Sequence, residues 1–198
     1  MMKRTILLAS SSPYRKQLLE RFNLPFICAS PDIDETPAPA ENAEALAVRL
    51  ATQKAQALAN NNPNTLVIGS DQVASLPDGS LLNKPGSHEQ AVEQLSRSSG
   101  QSVQFSTGLA VLDTQTGDLK THCELFTAHF RHLSQEEITG YLHQEKPYDC
   151  AGSFKMEGLG ITLFERLEGE DPNSLIGLPL IALSTMLREF GINPLLSQ

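Results

Sequence analysis

Apolar residues recur along this chain with two periods, one typical of β-strands and one typical of α-helices. Short apolar runs bounded by polar residues predict strands at residues 5–10, 26–30, 65–76 and 161–169, and several strands with a turn at 114–118 within residues 103–133. Apolar residues spaced three and four apart predict helices at residues 13–22, 43–62, 87–100 and 134–147, and a last helix beginning near Pro179. Residues 31–42 are rich in proline and acidic residues, which predicts an irregular loop.

The predicted strands and helices intermingle, with no repeat and no linker between them. This order predicts an α/β or α+β fold built on a mixed sheet. A chain of 198 residues suits one domain, either a single large unit or two closely joined lobes. Two helix starts have the spacing of a capping box, Ser87 with Gln90 and Ser134 with Glu137.

The composition narrows the choice of partners. Hydrophobic residues make up 40% of the chain and charged residues 19%, which favours a packed core over disorder. The formal net charge of −8 argues against binding to duplex nucleic acid, because that binding needs a broad basic surface. A small anionic ligand is compatible with this charge, since it needs only a local cluster of cations or a metal.

The cysteines and the lengths of the apolar runs indicate the compartment. The chain has three cysteines, Cys28, Cys123 and Cys150, and no pair has C-x-x-C spacing, so neither a disulfide framework nor a structural zinc site is expected. The apolar run at the N-terminus is too short for the core of a signal peptide. No stretch approaches the roughly 20 apolar residues of a membrane-spanning helix. We therefore predict a cytoplasmic protein without a membrane partner.

The first predicted strand passes into the first helix through the segment Ser10–Pro13, which is followed by Tyr14 and Arg15. A serine at this point can cap the helix by accepting a hydrogen bond from a free backbone N–H. The same free N–H groups and the positive end of the helix dipole can also bind an anion, with hydroxyl groups and a guanidinium beside them. The sequence leaves both interpretations open.

Two charged residues interrupt otherwise apolar patterns. Lys54 lies in the inward stripe of the second predicted helix, in line with Leu50 and Leu58. Its ammonium group either reaches water at the edge of the stripe or points into a cleft that holds an anion. Asp71 follows an apolar run, at the predicted exit of a strand, where α/β proteins often place groups that bind ligands. A buried carboxylate there needs a cation, a metal or a hydrogen-bond donor as its partner.

Further charged groups could complete such a site. Asp34 and Glu35 in the acidic loop offer the hard oxygen ligands that magnesium prefers. Lys84 follows the turn after the third predicted strand and could reach back toward Asp71. Together with Arg15 and the helix lysine described above, these groups are the inventory of a metal-assisted phosphate site.

Seven motifs along the chain resemble those of the Maf family of nucleoside triphosphate pyrophosphatases. In chain order they are LLASSSPYRKQLL, DIDET, LATQKA, GSDQV, NKP, AGSFKMEGLG and LIGLPL, and they run from about residue 5 to residue 190. The resemblance implies a mixed α/β fold with a cleft between two lobes, usually in a homodimer. It also implies hydrolysis of a nucleoside triphosphate to the monophosphate and pyrophosphate, dependent on a divalent metal such as Mg²⁺ or Mn²⁺.

The resemblance further implies roles for single residues. Asp71 matches the catalytic acidic residue, which acts either as a general base or as a metal ligand. Glu35 matches an acidic residue that helps to hold the metal. The residues at phosphate-binding positions are Ser10, Ser12, Arg15, Lys54 and Lys84.

Three positions distinguish branches of the family. Tyr14, Gln72 and Glu157 depart from the branch that acts on dTTP and UTP and resemble the YceF-type branch, whose implied substrate is 7-methyl-GTP. An electron-rich ring stacks well on a cationic base, and a carboxylate can accept hydrogen bonds from the guanine edge. Gln72 could contact the ribose or the base edge. In the alternative interpretation, Tyr14 and Glu157 are ordinary surface residues.

Two other functions compete with this prediction. The first is a pyrophosphatase specific for UTP and dTTP, or one of broad specificity. The second is a non-catalytic regulator of septum formation that binds nucleotides. A Ser-His-Asp hydrolase has little support, because the chain has no G-x-S-x-G motif.

Overall fold

A mixed seven-stranded sheet forms the centre of the protein. The computed structural model describes residues 4–196, and in these the strand order is β2-β1-β3-β5-β6-β7, with β4 paired to β3. The strands are β1 (Thr5–Ala9), β2 (Ile27–Ala29), β3 (Thr65–Ser75), β4 (Leu81–Leu82), β5 (Ser102–Asp113), β6 (Leu119–Phe130) and β7 (Phe164–Gly169). Strand β1 is parallel to both β2 and β3, whereas the pairs from β3 to β7 are antiparallel. The predicted mixed α/β fold is therefore confirmed.

Six helices flank the sheet in the described part of the chain. They are α1 (Pro13–Glu20), α2 (Ala43–Ala59), α3 (His88–Ser98), α4 (Gln135–Glu145), α5 (Pro172–Ile176) and α6 (Leu180–Glu189), with two 3-10 turns at Ala151–Ser153 and Leu159–Leu163. None of the helices between residues 4 and 196 combines the length and the hydropathy needed to span a bilayer.

Helix α2 lies directly against β3 and β5 because two glycines leave room for its backbone. A Cβ atom at Gly69 would overlap the carbonyl oxygen of Ala51, and one at Gly108 would overlap that of Ala47. Both alanines and Ala55 are fully buried in this contact. The close approach sets the height of α2 above β3, and it thereby brings the helix side chains next to the polar end of that strand.

The opposite face of the sheet carries two hydrophobic clusters at its two ends. One cluster joins β1, β3 and β5 to α1 and α6, through residues that include Ile6, Leu8, Ile68, Leu18, Leu183 and Leu187. The other joins β5 and β6 to α3, α4 and the segment after α4, through residues that include Phe105, Phe126, Leu95, Leu142 and Phe154. Ser70 and Gln72 of β3 and Thr107 of β5 lie between the clusters on this face, because side chains alternate along a strand. The division of a single domain into two lobes stays a prediction.

Most of the predicted elements are present, and the exceptions have local causes. Residues 161–163 were expected to begin a strand, but they belong to the 3-10 turn Leu159–Leu163, and β7 begins only at Phe164. The capping box at Ser134 is complete, whereas Ser87 caps α3 without a reciprocal contact from Gln90. Helix α5 was not predicted, because five residues are too few to show a helical period.

Candidate active site

One cleft of about 760 Å³ brings together all ten of the predicted site residues. They are Ser10, Ser12, Tyr14, Arg15, Glu35, Lys54, Asp71, Gln72, Lys84 and Glu157. The cleft lies where β1 stops short of β3, since the last pair between these strands is Ala9 with Gly69. Asp71 was predicted at the exit of a strand. It is instead internal to β3 and is paired with Gly108 of β5, but it lies just beyond the end of β1.

The serines at the start of α1 cap the helix and also line the cleft. Ser12 is the N-cap residue, and its Oγ accepts a hydrogen bond from the backbone N–H of Arg15 at 3.4 Å. Ser10 Oγ accepts one from the N–H of Ser12 at 3.1 Å. Both hydroxyl groups act as acceptors in these contacts, so their own hydrogens stay available to a ligand. The capping interpretation is thus observed, and it does not exclude the binding of an anion.

Arg15 is held by one of its three side-chain nitrogens. Its Nε donates to the carbonyl oxygen of Gly177 at 2.8 Å. Neither Nη atom has a hydrogen-bond partner within residues 4–196, although both belong to a side chain that lines the cleft. Burial lowers the pKa of Arg15, and the charges of Asp71 and Glu35 oppose this effect. An arginine stays protonated under these conditions, so the cleft has a fixed positive charge here.

Lys54 bridges two carboxylates at the floor of the cleft. Its Nζ lies 2.5 Å from Asp71 Oδ1 and 2.7 Å from Glu35 Oε1. Lys54 is only 7% exposed and Asp71 only 9%. Of the two alternatives for the ammonium group, the structure therefore excludes the one in which it reaches bulk water at the edge of the helix. Asp71 Oδ2 has no hydrogen-bond partner in the described part of the chain, which leaves that oxygen open to the cleft.

The acidic loop contributes one of its two candidate carboxylates. Glu35 lines the cleft, whereas Asp34 does not and accepts a hydrogen bond from the backbone N–H of Thr36 at 2.9 Å. Burial tends to raise the pKa of Glu35, but the hydrogen bond and the charge of Lys54, with smaller effects of Lys84 and Arg15, lower it overall. Lys84 is exposed at the rim and forms no ion pair with Asp71 in the described structure.

The three predicted specificity residues have different surroundings. Tyr14 lines the cleft near Lys155, and Glu157 is an exposed residue of the same lining. Burial tends to lower the pKa of Lys155, but the neighbouring Tyr14 side chain raises it overall. Gln72 differs, because its Nε2 already donates to the carbonyls of Ser174 at 2.7 Å and Leu175 at 3.1 Å. Only its Oε1 stays free to contact a ligand.

The structure adds residues that sequence reasoning missed. Lys155 is a further cation in the cleft, and Asp149 a further carboxylate. Gly177 contacts Arg15, and Ser70 of β3 contacts Gly177. Lys155 and Gly177 stand inside two of the motifs quoted above, but a motif does not indicate which way a side chain or a carbonyl group points.

The carboxylates fit a metal that is bound together with a ligand. Among residues 4–196, no group of three or more histidine, cysteine, aspartate or glutamate side chains converges on one point. Glu35 and Asp71 do converge, since both contact the same ammonium group. Magnesium is commonly held by one or two carboxylates and completes its shell with water and substrate phosphates. Two carboxylates in a cleft that also contains cationic side chains satisfy that pattern.

The fold is similar to that of solved Ham1 proteins. The Ham1 protein of Staphylococcus aureus matches with a TM-score of 0.54 and 14% identity, covering 94% of this chain and 100% of that protein. A HAM1 protein from Coxiella burnetii matches with a TM-score of 0.52 at the same identity and coverage. At this identity the similarity concerns the fold alone.

The sequence matches a family model over nearly its whole length. The model describes a Maf-like protein, and the match covers residues 5–190. This range includes the strand end, helix start and acidic loop that form the cleft. The chain therefore belongs to the Maf family.

Proposed function

We propose that this protein is a nucleoside triphosphate pyrophosphatase whose preferred substrate is 7-methyl-GTP. The observation that carries the proposal is the joint presence of Arg15, Lys54 and Lys84 with Asp71 and Glu35 in one cleft. Cations and hydroxyl groups in such a cleft can bind the phosphates, while a carboxylate with a free oxygen can act on water. Membership of the Maf family supports the same class of reaction.

The reaction would be an in-line attack of water on the α-phosphorus. The water oxygen forms the new P–O bond, the bond from that phosphorus to the bridging oxygen of the β-phosphate breaks, and pyrophosphate leaves with the electron pair. Asp71 lines the cleft, and its Oδ2, which has no partner in the described structure, would orient the water and accept its proton. The Nη groups of Arg15 and the ammonium group of Lys84 would neutralise the charge that develops on pyrophosphate.

Lys54 and the proposed metal ion would both interact with the carboxylates of Asp71 and Glu35. The contact from Lys54 to Asp71 Oδ1 fixes the carboxylate, so that Oδ2 is the oxygen presented to water. Glu35 and Asp71 would hold a Mg²⁺ or Mn²⁺ ion, which supplies charge neutralisation and polarisation of phosphoryl oxygens. Whether Asp71 acts mainly as the base or mainly as a metal ligand is a question for the pH profile of the reaction.

The proposed preference for the methylated base depends on two residues of the cleft lining, Tyr14 and Glu157. Methylation of guanine at N7 makes the base cationic, and stacking of a cation on an aromatic ring contributes roughly 0.5–2 kcal/mol. Tyr14 supplies such a ring, and the carboxylate of Glu157 could accept hydrogen bonds from the guanine N1–H and amino groups. The contacts of Gln72 with α5 favour a role in holding the cleft together over direct recognition of the base.

The test is release of pyrophosphate, measured with Mg²⁺ or Mn²⁺ across the common nucleoside triphosphates and 7-methyl-GTP. We expect the highest kcat/KM for 7-methyl-GTP and the loss of most turnover in Asp71→Asn. Asp118→Asn is the matched control, because Asp118 is exposed in the turn between β5 and β6 and should leave turnover unchanged. An Asp71→Asn protein with near wild-type turnover would falsify the catalytic assignment.

The same panel separates the competing functions. Turnover mainly of UTP and dTTP would support a different branch of the family with the same chemistry. Tight nucleotide binding without turnover with either metal would support a non-catalytic regulator.

We also propose that the enzyme is cytoplasmic, which is consistent with three cysteines that are all free thiols.

A further inference from the structure

The segment from Asp171 to Ile181 is closed on itself by one buried carboxylate. Asp171 is 1% exposed and caps α5, with its Oδ1 accepting hydrogen bonds from the backbone N–H of Asn173 at 2.9 Å and from the Asn173 side chain at 2.7 Å. Its Oδ2 accepts the backbone N–H of Ile181, at the start of α6, at 2.8 Å. A single carboxylate therefore fixes both ends of this segment, which we call the 171–181 loop.

The middle of the 171–181 loop is bonded to the sheet by side chains of two strands. The carbonyl oxygen of Ser174 accepts hydrogen bonds from Gln72 of β3 at 2.7 Å and from Thr107 of β5 at 2.9 Å. The next carbonyl, that of Leu175, also accepts from Gln72 at 3.1 Å. These contacts account for the polar residues between the two hydrophobic clusters, and they hold the loop at a fixed place over the sheet.

Directly after α5, the 171–181 loop presents a carbonyl group to Arg15. Gly177 has a φ of +124°, a conformation that favours glycine, and its carbonyl oxygen accepts from Arg15 Nε at 2.8 Å. The same oxygen lies 3.0 Å from the hydroxyl of Ser70, which is fully buried and also lies 2.8 Å from the carbonyl oxygen of Gly108. Ser70 shares its one hydrogen between these two carbonyls, so it ties the Gly177 carbonyl to the centre of the sheet.

This contact determines how the guanidinium group of Arg15 is presented. The group is planar and rigid, so a partner at Nε fixes the direction of the whole fork. Both Nη atoms then stay free in the described structure, on a side chain that lines the cleft. A fork with two free Nη atoms matches the bidentate contacts that arginine makes with phosphates.

We propose that the Gly177 carbonyl is the positioning element for Arg15, and that Ser70 and Asp171 act on triphosphate binding through it without touching the ligand. The inference rests on the proposed function only in taking a triphosphate as the ligand of Arg15. The contrasting possibility is a brace that merely stabilises the fold. A brace would change the stability of the protein, but its effect on binding would not depend on whether Arg15 is present.

A double-mutant cycle separates the two possibilities. Its variants are Ser70→Ala, Arg15→Ala and the combination of both, and the probe is inorganic tripolyphosphate with Mg²⁺, titrated by calorimetry. We expect Ser70→Ala to weaken tripolyphosphate binding about fivefold to tenfold in the wild-type background and less than twofold in the Arg15→Ala background. Ser106→Ala is the matched control, because Ser106 is also a buried serine but its hydroxyl has no partner within the described residues. It should leave binding unchanged.

Asp171→Asn gives a second cycle that acts on the far end of the loop. An asparagine has only one acceptor oxygen, so its NH2 group would face a backbone N–H that the carboxylate now satisfies, and the loop should loosen. We expect Asp171→Asn to weaken tripolyphosphate binding in the wild-type background. In the Arg15→Ala background it should leave binding nearly unchanged. Thermal unfolding of each variant shows that the folded protein is being titrated. Equal losses of affinity in the two backgrounds, or no loss in either single variant, would overturn the inference.

The design keeps this inference apart from the proposed hydrolysis. Tripolyphosphate binding is read without any turnover, and pyrophosphate release from 7-methyl-GTP is measured in parallel on the same variants. A coupled cycle in a protein that hydrolyses no nucleotide would support the positioning role and refute the hydrolase. Turnover with additive effects of Ser70→Ala and Arg15→Ala would refute the positioning role and leave the hydrolase in place.

Discussion

Replacing Lys54 by methionine would leave the Asp71 carboxylate without its cation. Methionine keeps the length of the buried stem but removes the ammonium group that contacts Asp71 and Glu35. Removing one partner of a buried ion pair costs about 3–5 kcal/mol, because the other charge is left uncompensated. The Glu35 contact adds little, since its side chain is 52% exposed and water can replace the lysine.

Two features of the cleft reduce this cost. Asp71 borders the open cleft and keeps 9% of its surface exposed, so water partly compensates its charge in the variant. The variant also avoids the desolvation cost of burying the ammonium group, which partly offsets the loss of the ion pair. We therefore expect Lys54→Met to lower the free energy of unfolding by about 2–4 kcal/mol at pH 7.

Urea unfolding at neutral pH measures this change, and Asp71→Asn provides the reference background. In that background no buried carboxylate is left unpaired, since Glu35 is half exposed, so the cost of Lys54→Met should fall to about 1 kcal/mol, a typical hydrogen-bond contribution. Pyrophosphate release should be lost in Lys54→Met in the same experiments. A cost below about 1 kcal/mol that is equal in both backgrounds would refute the ion-pair reasoning.

Three further predictions concern packing, pH and specificity. Gly108→Ala should destabilise the protein by about 3 kcal/mol or more in urea unfolding, because its Cβ would overlap the Ala47 carbonyl and push α2 off the sheet. The hydrogen bond from Arg49 lowers the pKa of Glu41 to about 2, so the stability it contributes is present above the unfolded pKa of about 4.3 and is lost as pH falls toward 2. Thermal unfolding should accordingly show that Glu41→Gln is less stable than the wild type at pH 6 and that the difference disappears near pH 2, whereas a constant difference would contradict this origin. Glu157→Gln should lower the ratio of kcat/KM for 7-methyl-GTP to that for GTP by about fivefold, because only the methylated base carries a positive charge, and one charge contact near water contributes about 1 kcal/mol. An unchanged ratio would remove Glu157 from the specificity site.

The sequence predicted those features of the fold that depend on local periodicity, such as which face of a helix turns toward the sheet. The stripe that includes Lys54 predicted that its stem faces inward, because helix periodicity decides which side chains face the sheet, but it left the position of the ammonium group open. In the structure the whole side chain is buried. The predicted strand at residues 65–76 agrees with β3, but the expectation that Asp71 lies at the exit of a strand was wrong, because the sequence does not reveal that β1 ends at Ala9 while β3 continues past Asp71. Strand β3 runs on to Ser75 because β5 pairs with it there, and that pairing is a long-range contact.

The contacts around Arg15 could not be predicted for a related reason. The sequence placed Arg15 at a helix start, but its orientation depends on Gly177, 162 residues further along the chain. The sequence indicated that Gln72 could contact the ribose or the base edge, and it did not reveal that the amide nitrogen of Gln72 holds the loop that carries Gly177. A motif thus identified which residues gather at the cleft, whereas the division of roles among them depends on hydrogen bonds between distant segments.

The balance of charges in the cleft bears on how a triphosphate could bind. Four cations, Arg15, Lys54, Lys84 and Lys155, line it together with four carboxylates, Glu35, Asp71, Asp149 and Glu157. The ammonium group of Lys54 is already paired with two of those carboxylates, so it offers little uncompensated charge to a phosphate. The multiple negative charges of a triphosphate therefore exceed what the side chains can neutralise. A divalent cation bound by Glu35 and Asp71 would supply the missing positive charge. If the cleft takes a triphosphate as proposed, we expect it to bind the metal–triphosphate complex more tightly than the free anion.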